Sequence, residues 1–138
     1  MRARRIQNTL KNEKGQSLVE FALVVPLLLL LVIGIAEFGR AWMTRNILTG
    51  AAREAVRVLA VPDPPGGPIA ARNRAIAVLA SAGITTPPAS IVVTDNTAFL
   101  AVRVTIDYPF PVTIAGFIPG LNNATIPLHT ETTMRREY

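Results

Sequence analysis

The pattern of hydrophobic and polar positions along the chain is dominated by one uncharged run, which extends from Phe21 to Ala36 between two glutamates, Glu20 and Glu37. At 1.5 Å per residue, a helix over this run is about 24 Å long, slightly less than the roughly 30 Å hydrocarbon core of a bilayer. Pro26 lies inside the run and removes one backbone hydrogen bond, which predicts either a tolerated kink or a locally weakened turn. We therefore predict a single membrane-spanning helix over this run.

The helical period continues beyond the uncharged run. Apolar side chains recur on one stripe and polar ones on the opposite stripe, as in an amphipathic helix. The apolar stripe consists of Leu48, Ala52, Ala55 and Leu59, and the polar stripe of Asn46, Gly50, Arg53 and Arg57. We predict one helix over about residues 16–60, whose apolar stripe faces the domain that follows.

The remainder of the chain predicts a small domain of mixed structure. A proline- and glycine-rich segment at residues 61–68 ends the first helix, and a second helix follows over residues 68–82, with Gly83 as its C-terminal cap. Three strands with alternating apolar and polar positions follow the second helix. They fall at residues 90–94, 99–108 and 124–135. The predicted fold class is α+β: a long N-terminal transmembrane helix that extends into a small domain with a second helix and a three-stranded antiparallel sheet.

Two local signals refine the strands. The sequence Asp95, Asn96, Thr97 predicts a turn after the first strand. Pro127 predicts that the third strand lies at a sheet edge or begins with a bulge, because proline cannot donate to a ladder.

The connection over residues 109–123 is long and apolar for a loop. Two interpretations remain open. Its side chains complete a small core, or they form an exposed patch for another subunit or for the membrane surface. The candidate patch consists of Phe110, Ile114, Phe117 and Ile118.

The charge distribution indicates a membrane topology. The net charge is +5, and five of the 14 basic residues precede Gly15, where Glu13 is the single acid. A basic head beside an apolar run is typical of a cytoplasmic N-terminus rather than of a nucleic-acid footprint. Three interpretations compete: an uncleaved signal anchor, a secretory signal cut after Ala36, and a prepilin-type signal cut before the run.

Glu20 favours the third interpretation. An acid beside an apolar span costs free energy, so a compensating partner is expected. A cut after Gly15 would create an α-amino group at Gln16, one helical turn from Glu20. In an assembled filament the Glu20 carboxylate would pair with the amino terminus of a neighbouring subunit, since low dielectric strengthens the attraction. The same carboxylate would also lie near a helix N-terminus, where negative charge is favoured.

Residues 15–21 read glycine, four residues, glutamate and an aromatic, which resembles the signature of type IV pilin-like proteins. Together with residues 37–40 and 51–57, and with residues 132–137 near the C-terminus, the pattern resembles the TadE-like family. Its members are pseudopilins, or minor pilins, of the tight-adherence (Flp-type) pilus and secretion apparatus.

The resemblance implies a pilin-like fold and specific roles. Gly15 and Gln16 would flank the site cut by a prepilin peptidase, and Glu20 and Phe21 would act in assembly. The implied partners are the membrane, that peptidase and other pilins or pseudopilins of the same apparatus. The implied location is the bacterial inner membrane, with the N-terminus in the cytoplasm and the C-terminal domain outside it.

The sequence offers no pattern typical of catalysis. The chain has no cysteine and a single histidine, His129, so no zinc-ligand spacing is present. The aspartates lack calcium-loop spacing, and the Gly66-Gly67 pair lacks the lysine and hydroxyl residue of a phosphate loop. We therefore predict no enzymatic activity, no cofactor, no metal, no small-molecule substrate and no nucleic-acid partner.

The predicted organisation has three parts: a basic leader over residues 1–15, the transmembrane and extended helix over residues 16–60, and an extracytoplasmic α+β domain over residues 61–138. An alternative function stays open at this point. The protein could be an uncleaved, membrane-anchored extracytoplasmic binding module.

Overall fold

The computed structural model describes residues 3–61, 64–87, 90–96, 100–117, 120 and 122–136. The elements in chain order are helix α1 (Ala3–Ala60), helix α2 (Gly67–Ser81), strand β1 (Ile91–Asn96), strand β2 (Ala101–Pro111), a 3-10 helix (Thr113–Phe117) and strand β3 (Thr125–Arg135). The predicted α+β class, with two helices and a three-stranded antiparallel sheet, is confirmed.

Helix α1 begins earlier than its predicted start at about residue 16. The leader is helical from Ala3, and it is rich in arginine and lysine, which have high helix propensity. The chain divides into two units, Met1–Phe38 and Gly39–Tyr138, so the division falls within α1. We call them the N-terminal unit and the C-terminal unit.

The core of the C-terminal unit contains the last four turns of α1. The predicted apolar stripe is confirmed, because Leu48, Ala52, Ala55 and Leu59 are all fully buried. They pack in one cluster with residues of α2 and of the sheet, including Leu79 and Ile106. Burying a leucine or isoleucine side chain contributes about 1.5–3 kcal/mol, so this stripe stabilises the fold substantially. The small alanines let the helix backbone approach its neighbours closely.

Helix α2 ends in a hydrogen-bonded cap at the predicted glycine. Gly83 has φ +74° and its N–H donates to Ala80 O at 3.0 Å, while Ile84 N–H donates to Leu79 O at 2.9 Å. This pair of bonds is a Schellman motif, which satisfies two carbonyls at the helix end. Ile84 is buried, so the chain leaves the helix directly toward the core.

The sheet has the strand order β1-β2-β3, and both pairs are antiparallel. The predicted alternation in β2 is confirmed, since Val102, Val104 and Ile106 are buried while Arg103 and Asp107 are exposed. These buried positions meet the two helices in the core cluster.

The predicted turn after the first strand is wrong at two of its residues. Strand β1 continues through Asp95 and Asn96, which pair with Val102 and Ala101. Pairing with a neighbouring strand outweighs the local turn preference of these residues. The third predicted turn residue, Thr97, lies outside the described residues.

Pro127 lies on an edge strand, as predicted. Arg136 N–H donates to Leu100 O, and Val112 N–H donates to Ala124 O. Because hydrogen-bonded pairs alternate in an antiparallel ladder, the even-numbered residues of β3 bond to β2 and the odd-numbered ones face the free edge. Pro127 is odd-numbered, so its missing N–H removes no bond to β2.

Strand β2 is longer than predicted. It extends to Pro111 instead of ending at Tyr108, with Pro109 paired to Pro127. Pro109 and Pro111 lie beyond the pairing with β1, which ends at Ile91 opposite Ile106. Neither proline therefore has to supply an N–H to a neighbouring strand.

Candidate functional site

The residues predicted for processing and assembly lie on one exposed stretch of α1. Gly15 and Gln16 are helical and exposed, and a Cβ atom added at Gly15 would meet no other atom within 4 Å. Gln16 Nε2 donates to Glu20 Oε1 at 3.3 Å, so these two residues share one helix face. Phe21 follows with 67% of its surface exposed. The predicted roles of these four residues stay predictions.

The helix beyond Glu20 presents an apolar surface. Among the described residues, one helix is long and apolar enough to cross a membrane, and it is α1 from Gly15 onward. Its apolar side chains are exposed rather than packed in a core, from Leu18 through Leu31 to Ile35. Exposed apolar surface of this extent marks contact with lipid or with other proteins. The finding fits a single-pass membrane protein.

Pro26 and Ala36, which the sequence places inside and at the end of the span, are also helical and exposed. The chain is helical on both sides of Pro26, so the proline does not end α1. Its missing N–H leaves the carbonyl of Ala22 without that bond, because helical bonds join residues four apart.

Beyond the uncharged run, Arg40 connects α1 to the turn of the β2–β3 hairpin. Arg40 Nη1 donates to Thr113 Oγ1 of the 3-10 helix, and its guanidinium carbon lies 4.9 Å from the ring centroid of Phe110. A cation over an aromatic ring contributes about 0.5–2 kcal/mol, depending on desolvation. Phe110 is only 3% exposed, so this contact lies against the covered end of β2.

A second contact fixes the direction of α1 along the sheet within the C-terminal unit. Thr49 Oγ1 lies 3.1 Å from Thr130 Oγ1, at the centre of β3. From Arg40 to Thr49 the helix rises about 13.5 Å, and four residues of strand cover about the same length. Since Phe110 pairs with Ile126, four residues before Thr130, helix α1 and strand β3 run side by side in the same direction.

The candidate partner patch is divided by the structure. Phe110 is buried, Ile114 is half-buried, and neighbouring Ala115 is buried as well. Of the two interpretations of this connection, core completion therefore applies to Phe110. The side chain of Phe117 and all of Ile118 lie outside the described residues. The role of the patch in partner binding stays a prediction.

The outer face of the sheet is polar and carries two close pairs of side chains. His129 Nδ1 lies 2.7 Å from Asp107 Oδ1, and Arg103 Nη1 lies 3.3 Å from Glu131 Oε1, with more than two fifths of each side chain exposed. Exposed pairs of this kind contribute about 0–1 kcal/mol. Among the residues that the structure describes, no group of three or more histidine or acidic side chains is placed to hold a metal ion.

Sequence reasoning missed the contacts of Arg40 and Thr49. Each joins residues more than seventy positions apart, and their partners lie on a short 3-10 helix and at a polar position of a strand. A helical or strand period reports which face of an element is buried, but it does not report which elements meet. From the sequence, Arg40 belongs to residues 37–40 of the family resemblance, and Thr49 belongs to none of the predicted patterns.

Taken together, the exposed apolar helix near the N-terminus and the small α+β unit that follows define a class: membrane proteins with one candidate span and one folded domain. Within that class, the N-terminal part of the chain is similar to TadE-like proteins. Residues 15–57 match the family model for TadE-like proteins, which confirms the resemblance predicted from the sequence. The proteins of this family are structural components of pili, and the family is not an enzyme family. Comparisons with curated proteins and with solved structures gave no match.

Proposed function

We propose that this protein is a pseudopilin or minor pilin, a structural component for assembly of a tight-adherence (Flp-type IV) pilus or a related secretion apparatus. The observation that carries the proposal is the TadE-like match, which begins at Gly15, the residue after which the leader would be cut. The exposed apolar surface of α1 supports it, because such a surface is suited to the bilayer and then to other pilins.

The proposed topology follows from the charges of the leader. Five basic side chains precede Gly15, and the positive-inside rule keeps such a head in the cytoplasm. The C-terminal unit would then lie on the outer side of the bacterial inner membrane. A prepilin peptidase on the cytoplasmic side would cut between Gly15 and Gln16, and residues 16–60 would remain as the anchor and assembly helix.

Glu20 and Phe21 are the proposed assembly residues. The cut would place an α-amino group at Gln16, whose side chain already lies within 3.3 Å of the Glu20 carboxylate. Between subunits, the carboxylate of one chain would pair with the amino terminus of the next. Water exclusion around the exposed Phe21 ring would strengthen that attraction.

Mass spectrometry of the protein purified from its native membrane tests the proposal. We expect the mature N-terminus at Gln16. An uncut chain would contradict processing and would support the alternative of a permanently anchored binding module. A terminus at Glu37 would indicate ordinary secretion and would contradict both anchored functions.

A matched pair of glycine variants separates a processing defect from a folding defect. Gly15→Trp should block the cut, because a large side chain should not fit beside the scissile bond in the peptidase. Gly39→Trp adds the same bulk at a position that is equally open, since neither glycine has a neighbour within 4 Å of an added Cβ. Normal cutting of Gly15→Trp, or equal loss in both variants, would count against the proposed site.

A further inference from the structure

Strand β3 presents a backbone edge that has no partner strand among the residues that the structure describes. Its even-numbered residues bond to β2, so the N–H and C=O groups of its odd-numbered residues face outward. Pro127 has no N–H, so only the residues after it offer a complete edge for hydrogen bonding. The side chains along that edge are all exposed and belong to His129, Glu131, Thr133 and Arg135.

The opposite edge of the sheet, along β1, is protected. Strand β2 uses its even-numbered residues to bond β3 and its odd-numbered residues to bond β1, so the odd-numbered residues of β1 face outward. Arg72 Nε of α2 donates to one of these outward groups, Ile91 O, at 3.2 Å. A side chain that occupies an edge hinders the addition of another strand there. Strand addition is therefore expected at β3 rather than at β1.

The charges along the β3 edge are self-complementary. Glu131 and Arg135 lie two residues before and two residues after Thr133, and all three are exposed on the outer face of the sheet. If two copies of β3 pair antiparallel with Thr133 opposite Thr133, then Glu131 of each copy lies opposite Arg135 of the other. Pairs of opposite charge and pairs of threonine both favour strand pairing. Glu131 Oε1 lies 3.3 Å from Arg103 Nη1 of its own chain, which leaves its second oxygen for the other copy.

Other registers are less favourable. A pairing centred on Glu131 places two carboxyl groups opposite each other, and it places Pro127 opposite Arg135, where a hydrogen bond is lost. A pairing centred on Thr132 places Arg135 opposite His129 and gives the carboxyl groups no opposing cation. A register displaced toward the end of β3 leaves Arg135 opposite a threonine. The charges and the proline therefore favour the first register.

We propose that two copies of this chain associate through their β3 edges, in an antiparallel pair centred on Thr133 that joins their two three-stranded sheets. The contact is isologous, because each copy contributes the same surface. Since α1 and β3 run in the same direction within the C-terminal unit, residues 39–60 of the two copies run in opposite directions in this pair. The pair therefore differs from the contacts that repeat along a fibre of parallel subunits, and it goes beyond the proposed pilin function.

Disulfide formation between introduced cysteines tests the pairing, since the chain has no native cysteine. Thr133→Cys places two thiols on directly opposed residues, whose Cα atoms lie about 5.5 Å apart in a hydrogen-bonded pair, a separation that a disulfide spans. Thr125→Cys is the matched control, because it changes the same type of exposed residue on the same face of β3. In the proposed register the two Thr125 positions lie about 50 Å apart along the strands.

The purified full chain is oxidised in dilute detergent micelles, and the dimer is measured on non-reducing gels. A short bis-maleimide, which tolerates a wider range of thiol geometries, provides a second measurement. We expect the dimer to form severalfold faster with Thr133→Cys than with Thr125→Cys in both measurements. Equal rates at the two positions, or no dimer at either, would overturn the proposal and would leave the β3 edge to a strand of a different protein.

Charge reversal tests the register. In the Thr133→Cys background, Glu131→Arg and Arg135→Glu each place like charges opposite each other, so each variant alone should cross-link severalfold more slowly. An equal mixture of the two variants should restore the rate, because both pairs in a mixed dimer are again oppositely charged. Mixing would not rescue a folding defect, including any caused by loss of the pair between Glu131 and Arg103. A mixture that cross-links no faster than the separate variants would contradict the register.

Discussion

Glu20 places a carboxyl side chain on an apolar, exposed helix surface. Its immediate neighbours Val19 and Phe21 are both exposed to the extent of about two thirds of their surface. The Gln16 amide is its partner in the uncut chain, at 3.3 Å. An amide is a weaker partner for a carboxylate than an ammonium group, so a cut at Gln16 would improve the environment of Glu20.

We expect the Glu20→Ala variant to insert into the membrane and to be cut normally. The yield of assembled pili should fall by about tenfold or more, because each 1.4 kcal/mol lost from a contact between subunits lowers the affinity tenfold. Quantitative immunoblots of sheared pili and of membranes measure the two pools. Glu37→Ala is the matched control, as it removes an acid from the same helix beyond the uncharged run. Equal effects of both variants would remove the charge-pairing argument.

At the scale of elements, two neighbouring residues of strand β3 differ in whether their backbone N–H groups bond to β2. Thr132 is even-numbered and bonds to Val104 of β2, whereas Thr133 faces the free edge, as Pro127 does. Both threonines lie near the middle of the same ladder, so they form a matched pair for substitution by proline.

Thr132→Pro should lower the free energy of unfolding by about 1–3 kcal/mol more than Thr133→Pro, because it leaves the carbonyl of buried Val104 without its donor. Urea unfolding of the full chain in a mild detergent, followed by circular dichroism, measures the difference. Equal destabilisation by the two prolines would contradict the assignment of the bonded positions.

The elements could be predicted from the sequence because each carries its own period. The stripe from Leu48 to Leu59 and the alternation from Val102 to Ile106 are local patterns, and both are confirmed by burial. Strand ends were less predictable. The prolines at 109 and 111 look like strand breakers, yet they are tolerated because the pairing of β2 with β1 ends at Ile106 among the described residues.

The candidate site likewise contains residues that the sequence predicts and contacts that it does not. Residues 15–21 could be predicted as a candidate site from sequence because their spacing along one helix is itself the signal, and their roles stay predictions. The contact of Arg40 with Thr113 could not, because it depends on how α1 and the hairpin pack in three dimensions. Local spacing specifies faces, whereas long-range contacts are set by the packing of the whole core.

At the scale of the whole molecule, α1 belongs to both units. Its stripe from Leu48 to Leu59 lies in the core of the C-terminal unit, while its exposed apolar part belongs to the N-terminal unit. The predicted domain boundary at residue 61 separates that stripe from the sheet on which it packs. Whether residues 61–138 form an independent domain therefore depends on whether they fold stably without the end of α1.

We expect a chain of residues 39–138 to fold cooperatively without a membrane, because every residue of its buried cluster lies within it. A chain of residues 61–138 should not, since it lacks six fully buried side chains of α1. Thermal unfolding followed by circular dichroism distinguishes them. A cooperative transition in the shorter chain would place the folding boundary at residue 61 and contradict this expectation.

The parallel course of α1 and β3 has a mechanical consequence. A pull on α1 at its Gly39 end, along the helix axis, would load the contacts at Arg40, at Thr49 and along the leucine and alanine stripe at the same time. Contacts loaded together in shear share the force, whereas contacts peeled in sequence fail one by one. We therefore expect the C-terminal unit to resist tension applied along its own part of α1 better than a unit whose contacts are peeled one at a time.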